Sequence, residues 1–261
     1  NVNFQTEDGT TVLMWAARCG DDRCITALKK SFPSINPNMC DKRGCSALML
    51  AALFDHSKCI ETLQQCFPDI DVNIKEHFGG LSAMMIAVWN LHLSCIDALC
   101  RSFGCVAIDL AIRDYEGNSA LLYAAIRDDS GLCLRTLWMR FPHQVDISDA
   151  NLDGMRVLHC AASRGNSNCI RALVDCFPDI DPNGQTPEGL TALMIAVRQG
   201  HDECISVLKD CFPSLNPNIQ DMYGNTALMY ATLEEYPFPR ERHCIVVLLN
   251  CFPNINIGLQ S

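Results

Sequence analysis

The apolar residues of this chain form two short helical patterns that recur, in the same order, seven times. In the copy at 189–218, the pattern predicts a short helix over 192–199, with Leu193, Ile195 and Ala196 on its packed side and Thr191 as its N-cap. Gly200 is expected to end this helix, since glycine adopts the left-handed conformation without strain. The pattern therefore predicts a short first helix in every copy.

A second helical pattern follows after a short polar connection. In the same copy it begins at Asp202 or Glu203, and it ends before Pro213 because the residue preceding a proline is pushed out of the helical region. Its apolar positions are Cys204, Ile205, Leu208, Cys211 and Phe212. An extended, turn-rich segment then leads to the next copy, so the predicted unit is helix, turn, helix and long loop.

Two landmarks define the period of the repeat. Glycines open the copies at steps of 35, 36, 37, 37, 35 and 35 residues, at Gly9, Gly44, Gly80, Gly117, Gly154, Gly189 and Gly224. Cysteines recur early in the second helical pattern at nearly the same step, at Cys24, Cys59, Cys95, Cys133, Cys169, Cys204 and Cys244. Such a period is typical of a solenoid, in which each unit packs on its neighbours. We predict an all-α solenoid that forms a single domain over 1–261, with repeats at approximately 6–40, 41–76, 77–113, 114–150, 151–185, 186–220 and 221–257.

The residues around the turn resemble the ankyrin repeat. That family has the signature Thr-Pro-Leu-His-x-Ala at a period of about 33 residues. Here the segments 41–52 and 221–231 place an aspartate, a turn glycine and an Ala-Leu-Met run in the same order. The resemblance covers essentially the whole chain. It implies an ankyrin-repeat solenoid, with stacked helix-turn-helix units joined by hairpin-like loops, and a role in protein binding.

The chain departs from the family pattern in a systematic way. The family's proline is Ala or Val in every copy, and its histidine is kept only at His159, where Arg156 takes the place of the threonine. Two extra residues follow the second helix, in a Phe-Pro-x-Ile-x-Pro-Asn segment such as 177–183. We therefore expect ladders of Met, Phe and Cys side chains to hold the stack together.

The resemblance also implies where a partner would bind. The family's usual contact positions flank the turn glycine and follow the Ala-Ala pair of the first helix, along a concave groove. The candidate partner-binding residues at these positions are Leu53, Phe54, Phe78, Trp89, Asn90, Tyr115, Glu116, Ile126, Arg127, Met222 and Tyr223. A wider set at the same positions comprises Arg18, Cys19, Lys42, Arg43, His77, Leu152, Met155, Arg198, Gln199 and Leu233. Exposed aromatic and apolar residues with Arg at intervals are typical of binding hot spots, so we predict an apolar groove for a protein or extended peptide, centred on repeats two to four. The alternative is that some of these side chains pack inward between repeats.

Three copies are irregular. Repeat three has an extra residue in its turn, at 77–80, and Gly104 where other copies have proline. Repeat four has one added residue at 128–130, and repeat seven has a larger insertion at 234–242, whose two prolines indicate an extended loop. Insertions between helices cost little, so this loop is either a functional element or a neutral one.

Seventeen cysteines are many for this length, and their odd number argues against a closed disulfide framework. Four of them lie seven residues after a landmark cysteine, about 10 Å along the helix, which is too far to form a bridge or share one metal ion; these are Cys66, Cys176, Cys211 and Cys251. We interpret the cysteines as small buried hydrophobes, which predicts a reducing compartment, the cytosol or the nucleus. The alternative is a redox role, or metal binding by a pair such as Cys40 and Cys45.

Charge and motifs narrow the function further. The net charge of -10 disfavours nucleic acid and anionic membrane as partners, and no apolar run approaches the ~18 residues of a spanning helix. No phosphate-binding loop, nucleophile elbow or zinc-protease motif is present. The histidines before second helices, His56, His92 and His201, are expected to be structural. We predict a monomeric protein that is not an enzyme and binds neither metal nor cofactor.

Three hypotheses for the function remain open. The first is a protein-interaction module. The second is the regulatory or targeting arm of a larger enzyme or effector whose catalytic domain lies outside this sequence, since the chain begins without Met and resembles an excerpt. The third is a spacer or self-associating scaffold. Both ends lack the polar outer face of a capping repeat, which leaves apolar residues partly uncovered at Phe252, Ile255, Ile257 and Leu259.

Overall fold

The computed structural model describes residues 2–232 and 241–257, and for 241–243 only the main chain. Leu233, Leu259 and the side chains of the insertion at 234–242 lie outside the described residues. Within the described part the chain forms fourteen helices and no β-strand, which confirms the predicted all-α alternation of first and second helices. The helices are α1 (Val12–Cys19), α2 (Asp22–Ser31), α3 (Ala47–Leu53), α4 (Ser57–Cys66), α5 (Ala83–Trp89), α6 (Leu93–Ala107), α7 (Ala120–Arg127), α8 (Leu132–Arg140), α9 (Val157–Arg164), α10 (Ser167–Cys176), α11 (Ala192–Arg198), α12 (Asp202–Cys211), α13 (Ala227–Thr232) and α14 (Glu241–Cys251).

The helix termini follow the local signals in the sequence. The side chain of Thr191 accepts a hydrogen bond from the Met194 amide at 3.3 Å, and Thr11 caps α1 in the same way. Gly200 has a φ of 75°, the left-handed conformation expected after the first helix. Helix α12 ends at Cys211, and Phe212 is extended before Pro213. The first helices are therefore short because caps and glycines bound them on both sides.

The chain divides into two compact units, and the division falls within repeat four. Unit 1 comprises residues 2–123 together with Thr136–Val145, and unit 2 comprises Ala124–Arg135 together with the residues from Asp146 onward. In unit 1 the first helices α1, α3 and α5 pack in sequence, and so do the second helices α2, α4 and α6. In unit 2 the same holds for α9, α11 and α13, and for α10, α12 and α14.

Most of the predicted Met and Cys ladder residues are buried. In unit 1, Met14, Met49 and Met85 are each 1% exposed, while Met229 in unit 2 is half-buried. Six of the seven landmark cysteines are buried, and Cys24 is half-buried. All seventeen cysteines are free thiols in the structure.

The Phe ladder is incomplete, which corrects the prediction. Phe67 is buried, with the ammonium of Lys29 from the preceding repeat 4.8 Å from its ring centroid, whereas Phe32 is 47% exposed. Among the described residues no second helix precedes α2, so nothing covers Phe32 as Lys29 covers Phe67. Phe177 is half-buried. The ladder therefore depends on the repeat before it.

Main-chain hydrogen bonds join successive turns inside each unit. The Lys42 amide donates to the Asp8 carbonyl at 2.9 Å, and the His77 amide donates to the Arg43 carbonyl at 2.7 Å. Gly9 has a φ of 83°, and a Cβ there would lie 2.8 Å from the Lys42 nitrogen. Glycine recurs at this position because the turn needs both a left-handed backbone and space for the next turn.

The histidines before second helices also join neighbouring repeats. His92 donates from Nδ1 to the Ala52 carbonyl at 2.9 Å, and His201 Nε2 lies 3.2 Å from the Ser163 carbonyl oxygen. A Cβ on Gly165 would lie 2.7 Å from the ring of His201, so the imidazole covers the end of the preceding first helix. These contacts agree with the structural role expected for the histidines.

An asparagine ladder runs through the loops that carry the two extra residues. Asn73 donates from Nδ2 to the Ala107 carbonyl at 2.7 Å and accepts from the Asp109 amide at 3.1 Å. Asn38 and Asn183 make the same pair of bonds to the loops that follow them. The longer loop is therefore an additional connection between repeats, which the sequence pattern did not indicate.

Candidate functional site

The predicted contact residues of unit 1 lie at the ends of first helices and in the turns before them. Leu53, Phe54, Trp89, Phe78 and Tyr115 are exposed, from 36% for Trp89 to 77% for Phe78. Glu116 is exposed as well, and Asn90 is half-buried and donates from Nδ2 to the Ile86 carbonyl at 2.8 Å. The exposure that binding requires is therefore present at six of these seven positions.

The remaining predicted residues lie in unit 2. Met222 and Tyr223 are exposed in the turn before α13, at 63% and 67%. Arg127 is exposed, whereas Ile126 is half-buried. Residues of the wider set, Leu152, Met155, Arg198 and Gln199, line one cleft of about 640 Å³ in this unit.

Trp15 extends the aromatic residues of unit 1, and the sequence analysis missed it. Its equivalents Leu50 and Ile86 are buried, whereas Trp15 on α1 is 49% exposed. The guanidinium carbon of Arg18 lies 5.4 Å from the ring centroids of both Trp15 and Phe54. The signal in the sequence was a tryptophan at a position where the other copies have smaller residues. Arg18 thus connects aromatic rings from two repeats through cation–π contacts.

A buried tyrosine fixes the position of Trp89. The rings of Trp89 and Tyr123 meet edge to face, with centroids 5.1 Å apart. The Tyr123 hydroxyl donates to Oδ2 of Asp114, and Oδ1 of the same carboxylate accepts from the amides of Glu116 and Asn118 at 2.9 and 2.6 Å. Burial, reinforced by the Asp114 carboxylate, raises the pKa of Tyr123. The neutral phenol therefore remains a hydrogen-bond donor below Trp89.

The extra residue in the turn of repeat three presents Phe78 to solvent. The carboxylate of Glu76 accepts from the amides of Phe78 and Gly79 at 2.7 and 2.6 Å, and from Leu81 at 3.1 Å. Although burial opposes it, this cradle of amides lowers the pKa of Glu76. The Glu76 carboxylate thus accepts hydrogen bonds from the main-chain amides of the longer turn. Phe78 extends outward from this hydrogen-bonded loop.

Tyr115 belongs to the turn of repeat four and packs on the turn of repeat three. Its amide donates to the Gly79 carbonyl at 2.9 Å, and its ring passes over Gly80, where a Cβ would come within 3.0 Å of it. The ammonium of Lys75 lies 5.1 Å from the ring centroid. We call Trp15, Leu53, Phe54, Phe78, Trp89 and Tyr115 the aromatic surface of unit 1.

Two residues near this surface adopt a conformation that favours glycine. Asp55 and Leu91 have φ values of 59° and 60°, at the position that follows the first helix and is glycine in other copies. The carboxylate of Asp55 accepts from the Ser94 hydroxyl at 2.6 Å. Leu91 is 43% exposed two residues after Trp89. Left-handed backbone in a bulky residue is a feature that often accompanies functional surfaces.

The described side chains offer little for catalysis. His159 is buried, donates from Nε2 to the Gly184 carbonyl at 2.9 Å and accepts from the Arg156 amide at Nδ1, so neither ring nitrogen is left for its neighbour Cys160. Burial raises the pKa of Cys160 to about 12, so it is a thiol at neutral pH. Among the residues that the structure describes, no group of three His, Cys, Asp or Glu side chains is placed to hold a metal ion. Cys40 and Cys45 are both half-buried.

No helix in the described part of the chain is both long and apolar enough to span a membrane.

A family model of ankyrin repeats matches the chain in three copies, over residues 1–76, 130–211 and 176–260. No curated protein sequence matches it significantly. Among solved structures, the ankyrin repeat domain of Bcl-3, described as a unique member of the IkappaB protein family, is 20% identical with a TM-score of 0.71, covering 93% of this chain and 99% of that one. The human ASB11 ankyrin repeat domain is 18% identical with a TM-score of 0.71, covering 93% and 98%.

A third similar chain comes from a structure of the predatory endopeptidase Bd0816 from Bdellovibrio bacteriovorus in complex with the immunity protein Bd3460. It is 21% identical with a TM-score of 0.64, covering 79% of this chain and 99% of that one. At these identities the structures show the fold alone. They confirm the predicted ankyrin-repeat solenoid.

Proposed function

The chain belongs to the ankyrin-repeat family, whose domains are generally protein-interaction modules, and we propose that it binds a protein or an extended peptide through the aromatic surface of unit 1. This surface occupies the turn and first-helix positions that line the family's concave groove. The ankyrin-repeat fold is a non-catalytic interaction fold. We therefore expect the side chains of the aromatic surface to bind a partner.

The observation that carries the proposal is the arrangement around Arg18. Its guanidinium lies 5.4 Å from the ring centroids of both Trp15 on α1 and Phe54, which directly follows α3. Tryptophan, tyrosine and arginine are the residues most enriched in binding hot spots, and the aromatic pair offers a large contact area at a low cost in conformational entropy. The cation–π contacts hold these side chains in place before a partner arrives.

The packing below the surface supports the same conclusion. Trp89 rests against Tyr123, and Tyr115 rests against Gly80 beneath the Lys75 ammonium. Side chains that are already immobilised lose little rotamer freedom on binding, so more of the contact energy remains as affinity. We expect apolar side chains of the partner to insert between the rings, with the Arg18 and Lys75 charges at their edges.

Affinity capture from a cell lysate tests the proposal. The protein is compared with a Trp89→Ala/Tyr115→Ala variant and with Trp138→Ala as a matched control. Trp138 lies on the second helix α8 and is 37% exposed, against 36% for Trp89. We expect a protein that the wild type and the Trp138→Ala variant retain and the double variant loses. Retention by all three would contradict the assigned surface.

Photo-crosslinking locates the contact without removing any packing. A photoreactive phenylalanine analogue replaces Phe78, which is 77% exposed, and in a second sample it replaces Trp138. We expect the captured protein to crosslink at position 78 and not at 138. If the only crosslinked product were a second copy of the chain, and sedimentation depended on concentration, the self-associating scaffold would replace this proposal.

A further inference from the structure

The cleft in unit 2 has a different character from the aromatic surface of unit 1. Its volume is about 640 Å³, within the range of ligand-binding pockets. Leu190 and Ile195 are its buried apolar residues, and the turn of repeat five contributes Leu152 and Met155. Leu152 is 77% exposed at the edge. The cleft therefore offers an apolar wall to a ligand that enters from solvent.

Two arginines line the same cleft, from successive first helices. Arg164 is the last residue of α9 and is exposed, and Arg198 is the last residue of α11 and is half-buried. The Nε atom of Arg198 is buried and has no hydrogen-bond partner among the described residues. A buried donor without an acceptor is costly, and the Arg198 side chain is not held by a hydrogen bond at Nε within the described part of the chain.

The ion pairs of the described residues leave these two arginines out. The pairs lie on second helices, between Lys58 and Asp22, Arg101 and Glu61 or Asp97, Arg135 and Asp175, and Arg140 and Asp97. Asp153 and Glu188 also line the cleft, from its two turns, yet in the described part of the chain neither comes within ion-pair distance of Arg164 or Arg198. Two cationic side chains thus share a partly enclosed site without a carboxylate partner.

We propose that this cleft binds an extended peptide segment by receiving one acidic side chain between Arg164 and Arg198. A guanidinium binds a carboxylate with two parallel hydrogen bonds, and the terminal nitrogens of Arg164 and Arg198 are the donors proposed here. Leu152 and Met155 contact an apolar neighbour of the acidic residue. Asp153 and Glu188, at the turns, repel further carboxylates, so the segment carries a single acidic residue among neutral or basic ones.

The arginine Nε–H resonances of the isotope-labelled protein report binding directly. The probe is a blocked peptide of sequence Gly-Leu-Glu-Leu-Gly, and its counterpart carries Gln in place of Glu. We expect the Glu peptide to shift the Arg198 Nε–H resonance to saturation, and the Gln peptide to bind at least tenfold more weakly. Sodium acetate at the same carboxylate concentration tests whether a free carboxylate anion gives the same response. An equal response to acetate, or no response to the Glu peptide, would overturn the proposal.

Variants separate recognition from general charge. Arg198→Lys keeps the charge but removes the planar donor pair, and we expect it to weaken binding of the Glu peptide at least tenfold. Arg171→Gln removes an exposed arginine from the second helix α10 and should bind as the wild type does. Undiminished binding of the Glu peptide by Arg198→Lys would contradict the role proposed for Arg198. If that variant does not fold, the resonance measurement on the wild-type protein still tests the proposal. The Trp89→Ala/Tyr115→Ala variant should also bind the Glu peptide normally, so this site can be tested independently of the aromatic surface.

Discussion

The ring of Trp89 meets the ring of Tyr123 edge to face, at an interplanar angle of 87°. Trp89 is at the surface, whereas Tyr123 is 7% exposed and hydrogen-bonded to Asp114, itself 8% exposed. A polar network in the interior of unit 1 therefore determines where an exposed aromatic side chain is placed. The same arrangement recurs in unit 2, where Tyr230 donates to Asp221 at 2.5 Å.

Tyr123→Phe removes the hydroxyl that bonds to Asp114. One carboxylate oxygen would then keep only the Asn118 side-chain amide, at 3.2 Å. We expect the free energy of unfolding to fall by about 1–3 kcal/mol, because a buried acceptor loses a donor. Urea unfolding measures the change. Tyr115→Phe is the control, since Tyr115 is exposed, and it should change stability by less than about 0.5 kcal/mol. Equal losses in the two variants would contradict the role of the network.

Leu91→Gly should increase stability, which is unusual for a glycine substitution. Leu91 has a φ of 60°, and a left-handed backbone costs a non-glycine residue about 1–2 kcal/mol. Part of that gain is offset because glycine makes the unfolded chain more flexible, so we expect a net increase of about 0.5–1 kcal/mol. Thermal and urea unfolding both report it.

The opposite substitution, of a left-handed glycine by alanine, tests the same argument. Gly20 occupies the equivalent position in repeat one, and a Cβ there would lie 2.8 Å from the ring of His56. Gly20→Ala should therefore destabilise the protein. If Leu91→Gly also destabilised it, the backbone at Leu91 would not be strained in solution.

His159→Met should reduce the dependence of stability on pH. Burial lowers the pKa of His159 below its ordinary value of 6.5, although its hydrogen bond to the Gly184 carbonyl acts in the opposite direction. As the pH falls below 6.5, the unfolded chain binds a proton that the folded chain does not, so stability is present above that pH and is lost below it. The loss from one such group is at most about 1.4 kcal/mol per pH unit.

Urea midpoints measured between pH 7.5 and pH 5 check this prediction. Met14 and Met49 occupy the equivalent position in other repeats, so Met fits the site. The absolute stability of His159→Met is not the readout, since the Gly184 carbonyl loses its donor. His143→Gln removes an exposed histidine and serves as the control. A pH slope as steep in His159→Met as in the wild type would refute the argument.

The cysteines should separate into fast and slow classes on labelling with maleimide at pH 7.5. Cys19 and Cys105 are exposed, whereas Cys95 and Cys169 are buried. Burial, with a contribution from the Asp55 carboxylate, raises the pKa of Cys95 to about 12, so its thiolate is scarce at this pH. We expect the buried thiols to react at least about a hundredfold more slowly, through local opening. Mass spectrometry of the digested protein measures each site, and all seventeen cysteines should react in denaturant. Rapid labelling of Cys169 would show that its repeat opens freely.

Features set within one repeat could be predicted from the sequence. The N-cap at Thr191, the left-handed Gly200 and the end of α12 before Pro213 depend on residues within a few positions of each other. The turn glycines and the burial of Met49 and Cys59 followed from their recurrence, since a position that repeats with the same chemistry faces the same neighbour each time. For these reasons the sequence by itself determined the fold class and the positions of the helices.

The tertiary structure alone decided the details of the surfaces. Phe32 is exposed and Phe67 is buried, although both stand in the same motif, because only Phe67 has a second helix before it among the described residues. Trp15 is exposed where Leu50 is buried, and Arg164 and Arg198 meet in one cleft although they are far apart in the chain. These relationships depend on how side chains from neighbouring repeats, some 35 residues apart, share space. Local propensity and spacing carry no information about contacts between side chains of different repeats. Those contacts are defined only once the repeats are stacked.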